Sequence, residues 1–260
     1  MIRRTVLSSL LSKNQKDSLV GHSIWHYEDL ENEKKEVLCR RLELGSFINQ
    51  SSESEKRSKS LMKYLTGYES IDKYISPYLA GVVTEICGLP GVGRTTFCLK
   101  VASGLPESKE TLWIDTEGSL SLPKDLKLNH LRILDHIQFF ALVHQIPSII
   151  DSMGDKIGLI VVDSVAASLR GQPAESGIER TSILWELVKM FRKIAFEKGI
   201  AVLITNQMAA KPYFGHHRTL GESWGHAATH CLEVKRIGSS KRIIKIVKSP
   251  NIPHFDVSFD

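Results

Sequence analysis

Nine consecutive residues, Gly88, Leu89, Pro90, Gly91, Val92, Gly93, Arg94, Thr95 and Thr96, combine the residue types that hold a phosphate chain. The three glycines let backbone N–H groups face an anion with no side chain in the way. A helix starting at the end of such a loop adds its N-terminal N–H groups and its dipole to the attraction. The spacing is that of the phosphate-binding loop G-x-x-x-x-G-K-[ST], with Thr95 where a hydroxyl reaches Mg2+. Arg94 stands in the lysine position. Lysine is a compact point charge, whereas a guanidinium is planar and wider, though it still pairs with phosphate, often through two hydrogen bonds. Binding can therefore survive where alignment of the terminal phosphate suffers, and a misplacement of about 1 Å can cost roughly 100-fold in rate.

Three further segments could complete a phosphoryl-transfer site. Asp163 ends the apolar run GLIVVD, where an acid reaches Mg2+ beside the loop threonine. Asp115 and Glu117 lie in WIDTEG at the end of another apolar run, where a carboxylate can orient or deprotonate water. Gln207 ends LITNQ, a place from which an amide can sense the terminal phosphate. The loop that follows, 208–220, contains Lys211, His216, His217 and Arg218 and reads as basic and mobile. With Arg170 and Arg180 after Asp163, it is a candidate for contact with a nucleic-acid backbone. Solvated basic loops read the same way.

These residues need strands that end and helices that begin at one edge of a sheet. Residues 81–88 read as a strand feeding the loop, and 94–104 as a helix ended by Gly104. Residues 111–118 and 157–164 read as strands, the second a continuous apolar run of the kind buried on both faces of a parallel sheet. Residues 139–154 look helical with a break or kink at Pro147. The clearest helix is 176–199. Ser176 and Glu179 suggest a capping box, and Leu184, Leu187, Val188, Phe191, Ile194 and Ala195 form an apolar face. Residues 200–207 read as the next strand, and the C-terminal region as two strands joined by a Gly-Ser turn. Alternating strands and helices predict an α/β fold with a mainly parallel sheet flanked by helices.

The 260 residues suit one large domain, or one domain plus a small appendage, and 42% hydrophobic content provides a core. The polar, Ser-rich stretch 49–60 separates a helical and linker segment, residues 1–60, from a core at 61–260. The net charge of +5 permits a polyanionic partner without requiring one. No segment approaches about 18 consecutive apolar residues, so no membrane span and no membrane partner are expected. Four cysteines lack metal spacing; Cys87 and Cys98, in apolar segments that flank the loop, read as buried thiols, and a reducing compartment is expected. The basic start, with Arg3, Arg4, Lys13 and Lys16, fits a short arm or an organelle-import peptide.

Taken in order, LTGYESIDKYI, ICGLPGVGRTTFCLKVA, LWIDTEGSL, LIVVDSVAASLR, LITNQMAAK, TLGESWGHAATHCLEVKR and KIVKSPNIP resemble the eukaryotic branch of the RecA recombinase family over about residues 62–260. GESWGHAAT and DTEGSL are most similar to the recombinase paralogues, especially the C-type. The resemblance implies a RecA-like P-loop NTPase core that binds ATP and Mg2+ at a subunit interface. It implies single-stranded DNA near the two loops, assembly with other paralogues and with the strand-exchange recombinase filament, and homologous-recombination repair in the nucleus. Carried over by position, 88–96 bind phosphate, Thr95 and Asp163 bind Mg2+, Glu117 activates water, and Gln207 is the sensor. Pro250 matches a segment that caps the ATP of a neighbouring subunit. The first 60 residues show neither the family's N-terminal DNA-binding domain nor an F-x-x-A motif, because Gln50 follows Phe47 in the alanine position. Long self-filaments are therefore not expected. Three functions stay open on this reading: an accessory factor with ATP as ligand or slow switch, for which weak DNA-dependent ATPase activity is left open, an active DNA-stimulated ATPase with strand-exchange activity, and a nucleotide-dead scaffold.

Overall fold

The computed structural model describes residues 64–260 except 76–77, 119, 122–124, 169–176, 212–214, 219, 221–223, 226, 239–240, 255 and 260. The arm, helix and linker expected at 1–60, the serine of the capping box at 176 and Arg170 lie outside the described residues. The described residues belong to one compact unit, Leu61–Asp260.

The elements run α1 (Glu69–Tyr74), β1 (Val83–Gly88), α2 (Arg94–Ser103), β2 (Glu110–Asp115), β3 (Leu128–Arg132) and α3 (His136–Met153). They continue through β4 (Ile157–Asp163), α4 (Val165–Ser168), α5 (Gly177–Lys198), β5 (Ala201–Lys211), β6 (Gly215–Arg218), β7 (His230–Ile237), β8 (Lys241–Lys248) and β9 (Asp256–Phe259). A nine-stranded sheet has the order β3-β2-β4-β5-β1-β7-β8-β9, with β6 paired to β5 off this path. Strands β3 through β7 of that order are parallel, while β8 and β9 close one side antiparallel. The α/β class with a mainly parallel sheet flanked by helices is observed.

Apolar side chains alternate to the two faces of the sheet and build two core clusters. One joins Leu112, Ile114, Ile160, Val162, Val202 and Ile204 to Leu187, Val188, Phe191, Ile194 and Ala195 of α5. The other joins Ile86, Trp113, Val161, Leu203, Ile244 and Ile246 to Phe97, Cys98 and Val101 of α2. β1 and β4 are buried along their whole length, as central parallel strands covered on both faces must be. Gly104 ends α2, as its sequence position suggests, and also permits a close crossing: a Cβ there would lie 1.5 Å from the carbonyl oxygen of Leu65.

Two expectations are corrected. α3 runs through Pro147 as one helix and begins earlier, at the N-cap Asp135, which accepts from Gln138 N at 2.8 Å. A proline inside a helix costs about 3 kcal/mol. Burial of Phe139, Leu142, Ile146 and Ile150 on the same helix, at roughly 1.5–3 kcal/mol each, exceeds that cost. The basic loop at 208–220 is in part a ribbon. β5 continues to Lys211 and pairs antiparallel with β6, Ala209 opposite His217 and Lys211 opposite Gly215.

Candidate functional site

The site forms at the carboxyl edge of the parallel strands, where β2, β4, β5 and β1 are neighbours. Register sets Asp115 beside Asp163 and Gln207 beside Gly88. Four segments far apart in sequence thus deliver their chemical groups to one edge.

The phosphate loop joins β1 to α2. Gly93 is the N-cap of α2 with φ 103°, a left-handed conformation that glycine adopts without strain. The first turn of α2 holds no acidic residue, and Gly93 has no side chain with which to cap it. Its N-terminal N–H groups are free to meet an anion. Arg94 is 8% exposed. Its Nη1 is buried and lacks a hydrogen-bond partner. Burial lowers its pKa, while the Glu117 and Asp163 carboxylates nearby raise it. A buried guanidinium N–H without an acceptor is costly, and a phosphate oxygen is the acceptor for which a guanidinium is best shaped.

Asp163 is buried at the end of β4. Thr95 Oγ1 donates to its Oδ2 at 2.7 Å, and Thr205 Oγ1 donates to its Oδ1 at 2.5 Å. Burial raises its pKa, the two hydrogen bonds oppose that, Glu117 adds to the rise and Arg94 counters it. The Thr95 hydroxyl and the Asp163 carboxylate form a hard-oxygen pair of the sort Mg2+ uses. Among the described residues no cluster of three or more acidic, histidine or cysteine side chains is preassembled for a metal. Mg2+ held by this pair would therefore draw its other ligands from phosphate and water, as Mg2+ sites usually do.

Glu117 is held from β4: Ser164 Oγ donates to Glu117 Oε1 at 2.6 Å. Thr116 locks the same junction, since its Oγ1 donates to Ser164 O at 2.6 Å and accepts from Ser164 N at 2.9 Å. Asp115 is not a second water-directed carboxylate. Its Oδ1 accepts from the backbone N–H groups of Glu117 and Gly118 at 3.0 and 2.6 Å and pairs with Arg132 Nη1 at 3.1 Å. Its Oδ2 faces His130 Nε2 at 3.3 Å. Asp115 shapes the turn that carries Glu117.

Behind Gln207, the buried Glu85 Oε1 accepts from Asn206 Nδ2 at 2.7 Å and from Trp224 Nε1 at 2.9 Å. This ties the sensor strand to the segment before β7. Sequence reasoning missed Thr116, Arg132, Ser164, Thr205, Glu85 and Trp224. For Thr116, Ser164 and Thr205 the available signal was a polar residue at or just beyond the end of an apolar run; Glu85, Arg132 and Trp224 gave no such signal.

The structure brings 88–96, Glu117, Asp163 and Gln207 to one edge. It does not bring Pro250 there. Pro250 is exposed and follows β8, whose last residue pairs with Cys231 at the start of β7, so it lies at the opposite edge of the sheet. Arg180 lies on α5, Lys211 on β5 and Arg218 on β6. Met208 pairs with Arg218, so the ribbon that carries Lys211 and Arg218 begins one residue beyond Gln207.

Comparison with known proteins gives a consistent result. The sequence pattern of the Rad51 family matches residues 56–260. The chain is 29% identical over 222 residues to the DNA repair protein RAD51 homolog 3 of Cricetulus griseus, covering 68% of this chain and 60% of that protein. It is 27% identical over 237 residues to the DNA repair and recombination protein RadA of Cenarchaeum symbiosum, covering 80% and 59%. It is 27% identical over 252 residues to the DNA repair protein RAD51 homolog 4 of Bos taurus, covering 84% and 77%.

Proposed function

The chain belongs to the Rad51 family, and from that premise we propose that it is a recombinase paralogue acting as an accessory factor in homologous-recombination DNA repair. In this reading it binds ATP with Mg2+ as a ligand or slow switch. Its partners are a strand-exchange recombinase filament, other paralogues and single-stranded DNA, and it works in the nucleus. The names of its relatives support the DNA-repair role. Residues 61–260 are the ATP-binding core and residues 1–60 an appendage to it.

One observation carries the nucleotide reading: the buried, unpartnered Arg94 Nη1 beside the Glu117 and Asp163 carboxylates at the start of α2. The backbone N–H groups of 88–96 cradle the phosphate chain, and Arg94 donates to it. Thr95 and Asp163 hold Mg2+, which neutralises charge on the phosphates when bound. Glu117, aimed by Ser164, orients an attacking water and accepts its proton. Gln207, beside Gly88, senses the terminal phosphate and passes its state to the β5–β6 ribbon. Lys211 and Arg218 on that ribbon, with Arg170 and Arg180, contact the DNA backbone. Pro250, on the opposite edge, caps the nucleotide of a neighbouring subunit.

ATP·Mg2+ titrated against the wild type, Arg94→Lys and Arg94→Ala tests this. The wild type binds with little turnover, lysine raises turnover, and alanine abolishes binding. Faster turnover in the wild type than in Arg94→Lys would sink the reading, as would a purified complex that leaves recombinase filament stability on single-stranded DNA unchanged.

A second reading, a DNA-stimulated ATPase, is favoured by the aimed geometry of Glu117. It requires turnover that single-stranded DNA accelerates and Glu117→Gln removes.

A further inference from the structure

Arg242 belongs to none of the roles above. It lies on β8, on the strand face that carries Ile244 and Ile246 into the core against α2. The face thus begins with a cation where the apolar core gives way to the phosphate loop. The side chain rests on Gly93: a Cβ at residue 93 would stand 3.0 Å from Arg242 Nε, 3.3 Å from Cδ and 3.5 Å from Cζ. Gly93 is therefore required twice, for its left-handed φ and for this approach.

Arg242 Nε is buried with no hydrogen-bond partner, and among the described residues the guanidinium makes no hydrogen bond or ion pair. Across the ladder its register partner is another cation, Arg236. Like charges directly opposite destabilise a sheet, and a covered N–H donor without an acceptor is costly. Arg94, the next residue after Gly93, is among the described residues the other arginine with an unpartnered buried nitrogen. Two guanidiniums with spare donors therefore flank the N-cap of a helix that has no acid in its first turn.

We infer that Arg242 is a second arginine of the phosphate site, reaching from β8 to hold the phosphate chain of the bound nucleotide at Gly93. Arg94 serves the side facing Glu117 and Asp163, and Arg242 the side facing β8. The inference rests on the nucleotide reading above and adds a residue outside the loop, the β2 turn and β4. It also explains how the loop tolerates arginine for lysine, because contacts that the wider Arg94 guanidinium cannot make in a lysine's place are supplied from β8.

The test uses the full chain and isothermal titration with ATP·Mg2+ and with ADP·Mg2+, on the wild type, Arg242→Ala, Arg242→Lys and Lys241→Ala. Lys241 is the exposed neighbour on the other face of β8. Arg242→Ala should weaken both nucleotides at least about tenfold, the effect of losing a hydrogen bond to a charged group. Lysine should recover part of the affinity, and Lys241→Ala should match the wild type within about twofold. The melting temperature of ligand-free Arg242→Ala should equal or exceed that of the wild type. A structural arginine would lower it.

Wild-type affinity in Arg242→Ala would overturn this inference and leave the nucleotide reading standing. So would a loss confined to a single-stranded oligonucleotide with ATP binding intact. No nucleotide binding by the wild type itself would overturn both.

Discussion

On the acidic side of the site, Asp163 accepts from Thr95 and Thr205, and Asp115 accepts from two backbone N–H groups and Arg132. Across the site, on the phosphate side, Arg94 and Arg242 keep buried N–H groups with no acceptor. The acidic side is complete within the chain and the phosphate side is not. Carboxylates that must hold a metal and aim a water profit from a rigid setting that costs nothing to reorganise during reaction. Donors meant for a ligand do best without a competing acceptor, since an internal partner would have to be displaced. This difference makes contrary predictions for the two sides: removing a group from the first should cost stability, and removing one from the second should cost binding alone.

The largest effect should come from Asp115→Ala. The carboxylate is 2% exposed, and its loss strands two backbone N–H groups and the Arg132 guanidinium. Breaking a buried pair from one side costs about 3–5 kcal/mol. The Arg132 side chain is 39% exposed and can turn to water, which reduces the figure to about 2–3 kcal/mol. Urea unfolding measures it. A loss below about 0.5 kcal/mol, the range of ordinary surface substitutions, would break the comparison from the acidic side.

The intermediate effect is expected at Arg94→Leu and carries the opposite sign. Replacing a buried, incompletely paired cation by an apolar side chain is often neutral or stabilising by about 1 kcal/mol or more. The ligand-free protein should unfold at the same or slightly higher urea concentration, while the rise in melting temperature produced by ATP·Mg2+ disappears. A ligand-free protein weakened by more than about 1 kcal/mol would show that Arg94 belongs to the fold.

The phosphate side was largely legible in the sequence, and so were β1, β4, β5 and α5. A loop of three glycines between an apolar run and a helix is a local pattern, and a strand covered on both faces announces itself as an unbroken apolar run. The acidic side was legible only in outline. Glu117 and Asp163 could be picked out, but Asp115 resembled a second catalytic carboxylate because its partners come from elsewhere. Arg132 lies on β3, an edge strand whose sequence LNHLR is too polar to read as a strand. Arg242 escaped notice for the same reason: its place over Gly93 depends on the β7–β8 hairpin pairing beside β1, a long-range register that local patterning does not encode. Pro147 misled in the other direction, since a local helix breaker was overruled by tertiary burial.

The smallest effect concerns pH and would sharpen the comparison within the acidic side. Burial is the largest influence on Asp163 and raises its pKa above the unfolded value, only partly offset by the hydrogen bonds from Thr205 and Thr95. Between the unfolded and the folded pKa, the folded ligand-free protein therefore binds more protons than the unfolded chain. Stability from this group then falls as pH rises through that window and stays at the lower level above it. Asparagine at 163 keeps the shape and does not titrate. The stability of the wild type relative to Asp163→Asn, followed by urea unfolding from about pH 8 down to about pH 4, should rise gently as pH drops. ATP·Mg2+ reverses the preference, because Mg2+ takes the ionised carboxylate. The stabilisation that the ligand gives the wild type should fade over the same window. A relative stability that falls on acidification would mean that the two threonine hydrogen bonds outweigh burial at Asp163. The acidic side would then be satisfied even for the charge itself, and its contrast with Arg94 and Arg242 would be larger than drawn.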